Sequence, residues 1–151
     1  MSDSSRTTYV GTAPFLSAAG ARTILAAALA EADAIGVAQC VAVVDAGGHL
    51  LAFGRSDGAR IGSISIAQTK AMSAATRKRP SGEEGGGDQL VQIRLALAAD
   101  RVTGIAGGLP IVAEGSVIGG VGVSSGTSEQ DAQCARAGIA AIGLDPDARA
   151  R

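Results

Sequence analysis

The 151-residue sequence predicts an α/β (α+β) fold, with a single antiparallel sheet flanked by helices in the order α-β-β-α-α-β-β-β-α. Two observations support this prediction. Two pairs of apolar segments are each joined by short glycine-containing turns, which is the pattern of a β-hairpin. Alanine-rich segments with helical spacing of apolar residues precede, separate and follow these hairpins. Because hairpin connections make neighbouring strands antiparallel, the order argues against a doubly wound nucleotide-binding fold.

The first helix is predicted between Ser17, which can cap it, and about Ile35, where Gly36 is a suitable terminator. Its apolar side chains recur every three or four residues, at Ala21, Ile24, Leu25, Ala28, Ala32 and Ile35. This spacing gives the helix one face to bury against the sheet.

The first hairpin follows in the segment 40–58. Residues 40–44 form an unbroken, valine-rich apolar run, residues 45–48 contain an aspartate and two glycines, and residues 50–55 run back. A strand that is apolar on both faces is usually covered on both sides, so we expect this hairpin in the middle of the sheet. Polar side chains cluster at its ends: Asp45, His49, Arg55 and Asp57.

Between the hairpins, the sequence predicts two helices and a short strand. The first of these helices spans 61–79 and is stopped by Pro80, and a glycine-rich loop follows at 81–87. Asp88 can cap the next helix, which runs to about Ala99, and residues 102–105 are predicted as a short strand.

The second hairpin consists of residues 109–113 and 116–124, joined by the two-residue turn Glu114-Gly115. Its return strand contains three glycines, Gly119, Gly120 and Gly122. Because glycine weakens a strand, their presence indicates close approach by another backbone, a helix or a ligand.

The last helix begins with a capping box formed by Thr127 and Gln130. Free N–H groups at its start, beside Ser124, Ser125 and Thr127, can hold a carboxylate or phosphate, or can simply be capped. The preceding glycines do not have the spacing of a dinucleotide-binding loop.

The composition limits the classes of partner. A net charge of −1 and 2% aromatic residues provide neither the charge nor the stacking surface for nucleic acid. No apolar run approaches the length of a transmembrane helix, and no secretion signal is recognisable, so we expect a cytoplasmic protein. Residues 1–14 are expected to be a flexible arm, 15–143 the domain and 144–151 a tail.

Lys70 is the main candidate for chemistry, because helical spacing places it at the edge of a buried stripe. A half-buried lysine needs a carboxylate, which Asp45 or Asp57 can supply. Two interpretations remain open: a lysine that binds an acidic ligand or moves a proton, and a structural ion pair.

Arg55 and His49 are the other candidates. Arg55 can bind a ligand carboxylate with its planar fork or can pair locally with Asp57. His49 is the only histidine, which excludes a site of several histidines, and no metal site is predicted. Its role is catalytic, haem-ligating or none.

Several stretches together resemble the GlcG/HbpS family, whose members include a haem-binding protein and the C-terminal part of the PduO proteins. The resemblance covers residues 15–143 and is carried by the first helix and the segments 40–59, 63–75 and 107–142. It is strongest in the hairpin sequence VAVVDxGG at 41–48 and in GVSSGTxEQD at 122–131. It implies an antiparallel five-stranded sheet, assembly into dimers and larger rings, often octamers, and pockets near subunit contacts. Some members bind haem, and others are small lyases that convert hydroxylamino-aromatic acids with loss of ammonia.

The favoured hypothesis is a cofactor-free lyase that acts on a small organic or hydroxylamino-aromatic acid. Lys70, Asp45 and Asp57 are its candidate catalytic residues. The candidate ligand-binding residues have a positive charge, offer backbone N–H groups, or lie in the turn 107–110 that the resemblance places near a pocket: Arg55, Gly107, Gly108, Pro110, Ser124, Ser125 and Thr127.

Two alternatives remain. One is a haem- or tetrapyrrole-binding protein, whose conceivable ligands are His49, Met72, Tyr9, Cys40 and Cys134. The other is an oligomeric structural protein without a ligand.

Overall fold

The computed structural model describes residues 9–82 and 102–151. The predicted helix 88–99 and most of the predicted loop 81–87 lie outside these residues. The described part of the chain forms three helices and four strands: α1 (Ala18–Ile35), β1 (Cys40–Asp45), β2 (Leu50–Arg55), α2 (Ser63–Arg77), β3 (Gly108–Ala113), β4 (Ser116–Ser124) and α3 (Ser128–Ala140).

The predicted helix ends of α1 and α3 are confirmed by their capping geometry. The Ser17 hydroxyl accepts a hydrogen bond from the Gly20 N–H at 3.0 Å, and Gly36 ends α1 with φ of 70°. At the start of α3, Thr127 and Gln130 exchange both hydrogen bonds of a capping box. Local chemistry therefore determines where these helices begin and end.

The strands form a single antiparallel sheet in the order β2-β1-β4-β3. Strand β1 is central, as expected for a run that is apolar on both faces. Strand β2 lies at an edge of the described sheet and is only partly buried, so only half of the first hairpin occupies the middle. The register pairs Val41 with Val123 and Ala42 with Gly122.

The predicted short strand at 102–105 is wrong, and the described sheet has four strands instead of five. This segment is held by a side chain rather than by a strand ladder. The hydroxyl of Ser73, on α2, accepts a hydrogen bond from the Thr103 N–H at 3.4 Å and lies 3.5 Å from the Thr103 carbonyl oxygen. Gly104 interrupts the apolar residues of this segment and has low strand propensity, and Thr103 and Ile105 are held by the hydroxyl groups of Ser73 and Ser81.

The helices cover both faces of the sheet. Helices α1 and α3 pack on the face that presents Val41, Val43, Ile111, Val121 and Val123. Helix α2 packs on the opposite face, where β1 presents Cys40, Ala42 and Val44 against alanines of the helix. The small residues bring α2 unusually close to the sheet.

The glycines of β4 explain this closeness. A Cβ atom at Gly122 would collide with the Ala67 carbonyl oxygen and the Ala71 N–H, and one at Gly120 would collide with the Ala71 carbonyl oxygen. The sequence predicted that another backbone, a helix or a ligand approaches these glycines closely. At Gly120 and Gly122 the close neighbour is a helix, α2. This packing sets the height of every α2 side chain above the sheet, including Lys70.

Gly122→Ala is expected to destabilise the protein by about 3 kcal/mol, because the added methyl group meets helix backbone that cannot move aside. Urea unfolding measures the change. Gly62→Ala is the matched control, since Gly62 precedes the same helix with ordinary φ and has open space around its Cβ position. Equal losses of stability in the two variants would contradict this account of the packing.

Candidate functional site

The most unusual feature of the interior is a buried ion pair between α2 and α3. The Lys70 ammonium donates hydrogen bonds to Asp131 Oδ2 at 2.9 Å and to the Val123 carbonyl oxygen at 2.8 Å. The Lys70 and Asp131 side chains are only 2% and 4% exposed. The pair therefore connects the two helical layers at the end of the sheet where β4 stops.

Asp131 is firmly held in this position. It lies on the buried face of α3, in register with Ala135 and Ile139 at steps of four residues. Its second oxygen, Oδ1, accepts a hydrogen bond from the Gly126 N–H at 3.0 Å. Both carboxylate oxygens thus have partners, as a buried charge requires.

Sequence reasoning missed Asp131 and assigned its role to Asp45 or Asp57, and this predicted pairing is wrong. Strand β1 pairs Cys40 with Ser124 and Asp45 with Gly119, so Asp45 lies at the end of the strand opposite to Lys70. Asp57 follows the edge strand β2 in the chain and lines a different groove. The missed signal was a carboxylate in the apolar stripe of a helix.

Lys70 and Asp131 form part of the wall of a cavity of about 330 Å³. The cavity lies between the start of α2 and the connection from β4 to α3. Its remaining lining combines apolar and polar side chains with exposed backbone: Arg60, Gly62, Ser63, Ile66, Ile105, Ser124, Ser125, Gly126 and Ser128. Of the predicted ligand-binding residues, Ser124 and Ser125 are brought to this cavity.

The predicted glycines at 107 and 108 lie behind the ion pair. Gly107 has φ of 121°, and a Cβ atom there would lie 2.8 Å from Lys70 Nζ and 2.9 Å from Asp131 Cβ. Gly108 lies against the Lys70 carbonyl oxygen. Both glycines therefore make room for the lysine instead of facing the cavity.

The other predicted ligand-binding residues lie elsewhere. Pro110 is buried in β3, opposite Gly120, and Thr127 caps α3. Arg55 and Asp57 line a separate, open groove of about 600 Å³ between the end of α1 and β2.

His49 lies at the tip of the first hairpin, with 72% of its side chain exposed. Its Nδ1 is 3.2 Å from Asp45 Oδ1, which also accepts hydrogen bonds from the N–H groups of Gly47 and His49. Partial burial pushes the pKa of Asp45 upward, but these backbone hydrogen bonds and the imidazole outweigh it and hold that pKa below its ordinary value. The result is an ionised carboxylate that orients the histidine ring.

The remaining conceivable haem ligands are less suitable. Burial raises the pKa of the Cys40 thiol, and burial with nearby carboxylates raises that of Cys134 to about 11, so neither offers a thiolate. Tyr9 is 88% exposed. Met72 packs against Gly48, next to His49.

Two classes of site are not found in the described residues. Their histidine, cysteine, aspartate and glutamate side chains form no group of three or more that could hold a metal ion. None of the described helices combines the length and apolar character needed to cross a bilayer.

Comparison with known proteins identifies relatives of this chain. The family described as "Haem degrading protein HbpS-like" matches residues 16–140. Protein GlcG of Escherichia coli (strain K12) is 40% identical over 106 residues, which are 69% of this chain and 77% of GlcG.

Two solved structures share the fold and part of the sequence. Klebsiella pneumoniae protein ORFY has a TM-score of 0.80 and 33% identity, over 89% of this chain and 95% of ORFY. A PduOC:heme complex has a TM-score of 0.78 and 30% identity, over 88% of this chain and 99% of PduOC.

Asp131→Ala is expected to cost about 3–5 kcal/mol of unfolding free energy, because it leaves the Lys70 charge buried without a partner. The double variant Lys70→Met/Asp131→Leu removes both charges and should stay within about 1 kcal/mol of the wild type. Urea unfolding at pH 7 compares them. Arg136→Ala is the control, since its ion pair with Asp147 is exposed. A loss in Asp131→Ala no larger than in this control would contradict the buried pair's importance.

Proposed function

We propose that this chain, which belongs to the HbpS-like family, is a cofactor-free lyase that acts on a small organic or hydroxylamino-aromatic acid. The site is the cavity at Lys70. The observation that carries the proposal is the buried Lys70–Asp131 pair in the cavity wall. A charged pair in a concave, partly apolar site is a typical starting point for proton-transfer chemistry.

The lysine retains one donor for a ligand. An ammonium group has three N–H donors, and acceptors in the described residues engage two of them, at Asp131 and Val123. The third donor can bind an oxygen or nitrogen of the substrate. Loss of ammonia from a hydroxylamino-aromatic acid balances when one water molecule is taken up and a dihydroxy-aromatic acid is formed, so no oxidant or reductant is needed. The leaving nitrogen must gain a proton, and among the described lining residues Lys70 has an ammonium that can deliver it and that regains a proton from the water that adds.

Asp131 takes the supporting role predicted for Asp45 or Asp57. Its carboxylate balances the lysine charge and fixes the position of the ammonium, so the donor is oriented before the substrate arrives. The nearby N-terminus of α3 adds a partial positive charge that favours an anionic ligand.

The cavity size favours a small acid. Its volume of about 330 Å³ is at the lower end of small-molecule pockets, which typically measure about 300–1,000 Å³. Ile66 and Ile105 offer apolar surface for a hydrocarbon body beside the polar groups.

We further propose that the cavity mouth lies at a contact between copies in a homo-oligomer, from a dimer to an octamer. Supporting this, Ile61 is 75% exposed and Ile105 is 52% exposed, and both lie at or next to the cavity lining. Such side chains gain stability when a second copy covers them.

The first test measures ligand stabilisation and turnover. At a hundredfold excess over the dissociation constant, 4-hydroxylaminobenzoate should raise the melting temperature by about 5–10 °C and release ammonia. The double variant Lys70→Met/Asp131→Leu should lose both effects while remaining folded.

The matched control is Arg55→Gln/Asp57→Asn, whose positions lie in the separate groove and should leave both effects intact. Stabilisation and ammonia release that persist without Lys70 would overturn the proposed site. If no small acid stabilises the wild type, the lyase proposal fails and the structural role becomes the better explanation.

Haem or tetrapyrrole binding is the second candidate, favoured by the His49 geometry and by the haem complex of the PduOC relative. With Nδ1 of His49 directed to Asp45, Nε2 would be the nitrogen that ligates haem iron, and an imidazole oriented by a carboxylate fits that role. An apolar groove of about 450 Å³ adjoins the same turn, lined in part by Phe15, Leu16 and Ile118. Bound haem would supply redox chemistry, while these residues would hold it and limit solvent access.

Haemin titration tests this candidate. A Soret band that survives desalting should disappear in His49→Ala. Asp45→Asn should weaken haemin binding about 10- to 100-fold, because the ring loses its orienting carboxylate. The Lys70→Met/Asp131→Leu variant should bind haemin normally, since its site is at the other end of β1. An unchanged Soret band in His49→Ala would exclude His49 as the ligand.

A further inference from the structure

We infer that Arg60 anchors the carboxylate of the substrate, and that the preferred ligand has a single carboxylate at one end and a neutral hydrogen-bond acceptor at the other. This inference rests on the proposed function of the Lys70 cavity. It adds a residue that the sequence did not single out, and it gives the role predicted for Arg55 to a different arginine.

Arg60 lies just before α2 and lines the cavity together with Lys70. Its backbone N–H donates to Ser125 Oγ at 3.1 Å, and its Nη2 donates to the Ser125 carbonyl oxygen at 2.9 Å. A guanidinium has five N–H donors in a planar fork, so most of them remain for a ligand. The backbone hydrogen bond holds the residue in place and the single Nη2 hydrogen bond holds the guanidinium at the cavity, so one of the five guanidinium donors is used by Ser125.

Ser125 provides the second observation. Its φ of 109° is a strained conformation for a residue that is not glycine, and such strain costs about 1–3 kcal/mol. The two hydrogen bonds from Arg60 stabilise this conformation. Strain that is held in place beside a cavity is typical of ligand-binding sites, where it fixes the geometry of the wall.

The charges of the cavity lining determine the charge of the ligand. Among the residues that the structure describes, the lining contains two cations, Lys70 and Arg60, and one carboxylate, Asp131. Asp131 is already engaged by Lys70 and by the Gly126 N–H. No carboxylate of the described chain lies within ion-pair distance of Arg60. Counted over the described residues, the site therefore has one uncompensated positive charge, which a single carboxylate neutralises.

Arg60 and Lys70 differ in charge balance, and this difference determines which chemical group of the ligand each of them binds. Arginine binds a carboxylate with two parallel hydrogen bonds. The Lys70 ammonium, whose charge Asp131 balances, offers one hydrogen bond to a neutral acceptor. Ile66 and Ile105 supply apolar surface for the body between the two ends. A second carboxylate at the Lys70 end would place an unbalanced negative charge beside Asp131.

Calorimetric titration at pH 7 with 4-hydroxybenzoate, 3-hydroxybenzoate, benzoate, phenol and terephthalate tests this assignment. The wild type should bind a hydroxybenzoate most tightly, benzoate and terephthalate less tightly, and phenol least. Arg60→Gln should weaken binding of the hydroxybenzoates and benzoate about 10- to 100-fold and leave phenol unchanged. Arg60→Lys should show an intermediate loss, because it keeps the charge without the fork.

Controls separate the possible outcomes. Arg55→Gln should bind every probe like the wild type, and Lys70→Met/Asp131→Leu should lose the advantage of the hydroxyl group. Carboxylates that bind Arg60→Gln as tightly as the wild type, yet still require Lys70, would overturn this inference and leave the proposed function standing. Terephthalate binding as tight as that of 4-hydroxybenzoate would overturn the single-charge assignment. If none of these probes binds the wild type, both the inference and the proposed function fail.

Discussion

Burial of the Lys70–Asp131 pair is the constraint on which the rest of the site depends. A buried charge is tolerated only with a close counter-charge and further hydrogen bonds, and here the Val123 carbonyl oxygen and the Gly126 N–H supply hydrogen bonds beyond the ion pair itself. These partners come from α2, β4, the following loop and α3. Satisfying one ammonium therefore fixes the relative positions of the two helical layers at this end of the sheet.

The close packing of α2 makes this arrangement possible. Because Gly120 and Gly122 have no side chains, the helix backbone approaches β4 directly, and Gly107 leaves room for the ammonium itself. A bulkier strand would lift α2 and move Lys70 away from the Val123 carbonyl oxygen. These glycines weaken a strand on its own, but here they allow α2 to place the Lys70 ammonium at the end of β4.

Sequence patterns predicted the features that neighbouring residues determine. The Ser17 and Thr127 caps, both hairpins and the turn at Glu114-Gly115 depend on interactions within a few residues, and their bounds agree closely with the structure. The carboxylate that pairs with Lys70 lies 61 residues away in the chain, so the spacing of residues in the sequence could not identify it. Asp45 and Asp57 were closer in sequence, but Asp45 lies at the far end of β1 from Lys70, and Asp57 follows the edge strand β2 and lines a different groove.

The two candidate sites lie at opposite ends of β1. Lys70 lies near the Cys40 end of β1 and His49 near its Asp45 end, because antiparallel pairing with β4 places Ser124 beside one end and Gly119 beside the other. A ligand at one end makes no contact that the other requires. Haem binding among relatives is therefore compatible with acid chemistry at the Lys70 cavity. Membership of the family is evidence for the fold. Each activity depends on the side chains of the site that would carry it out.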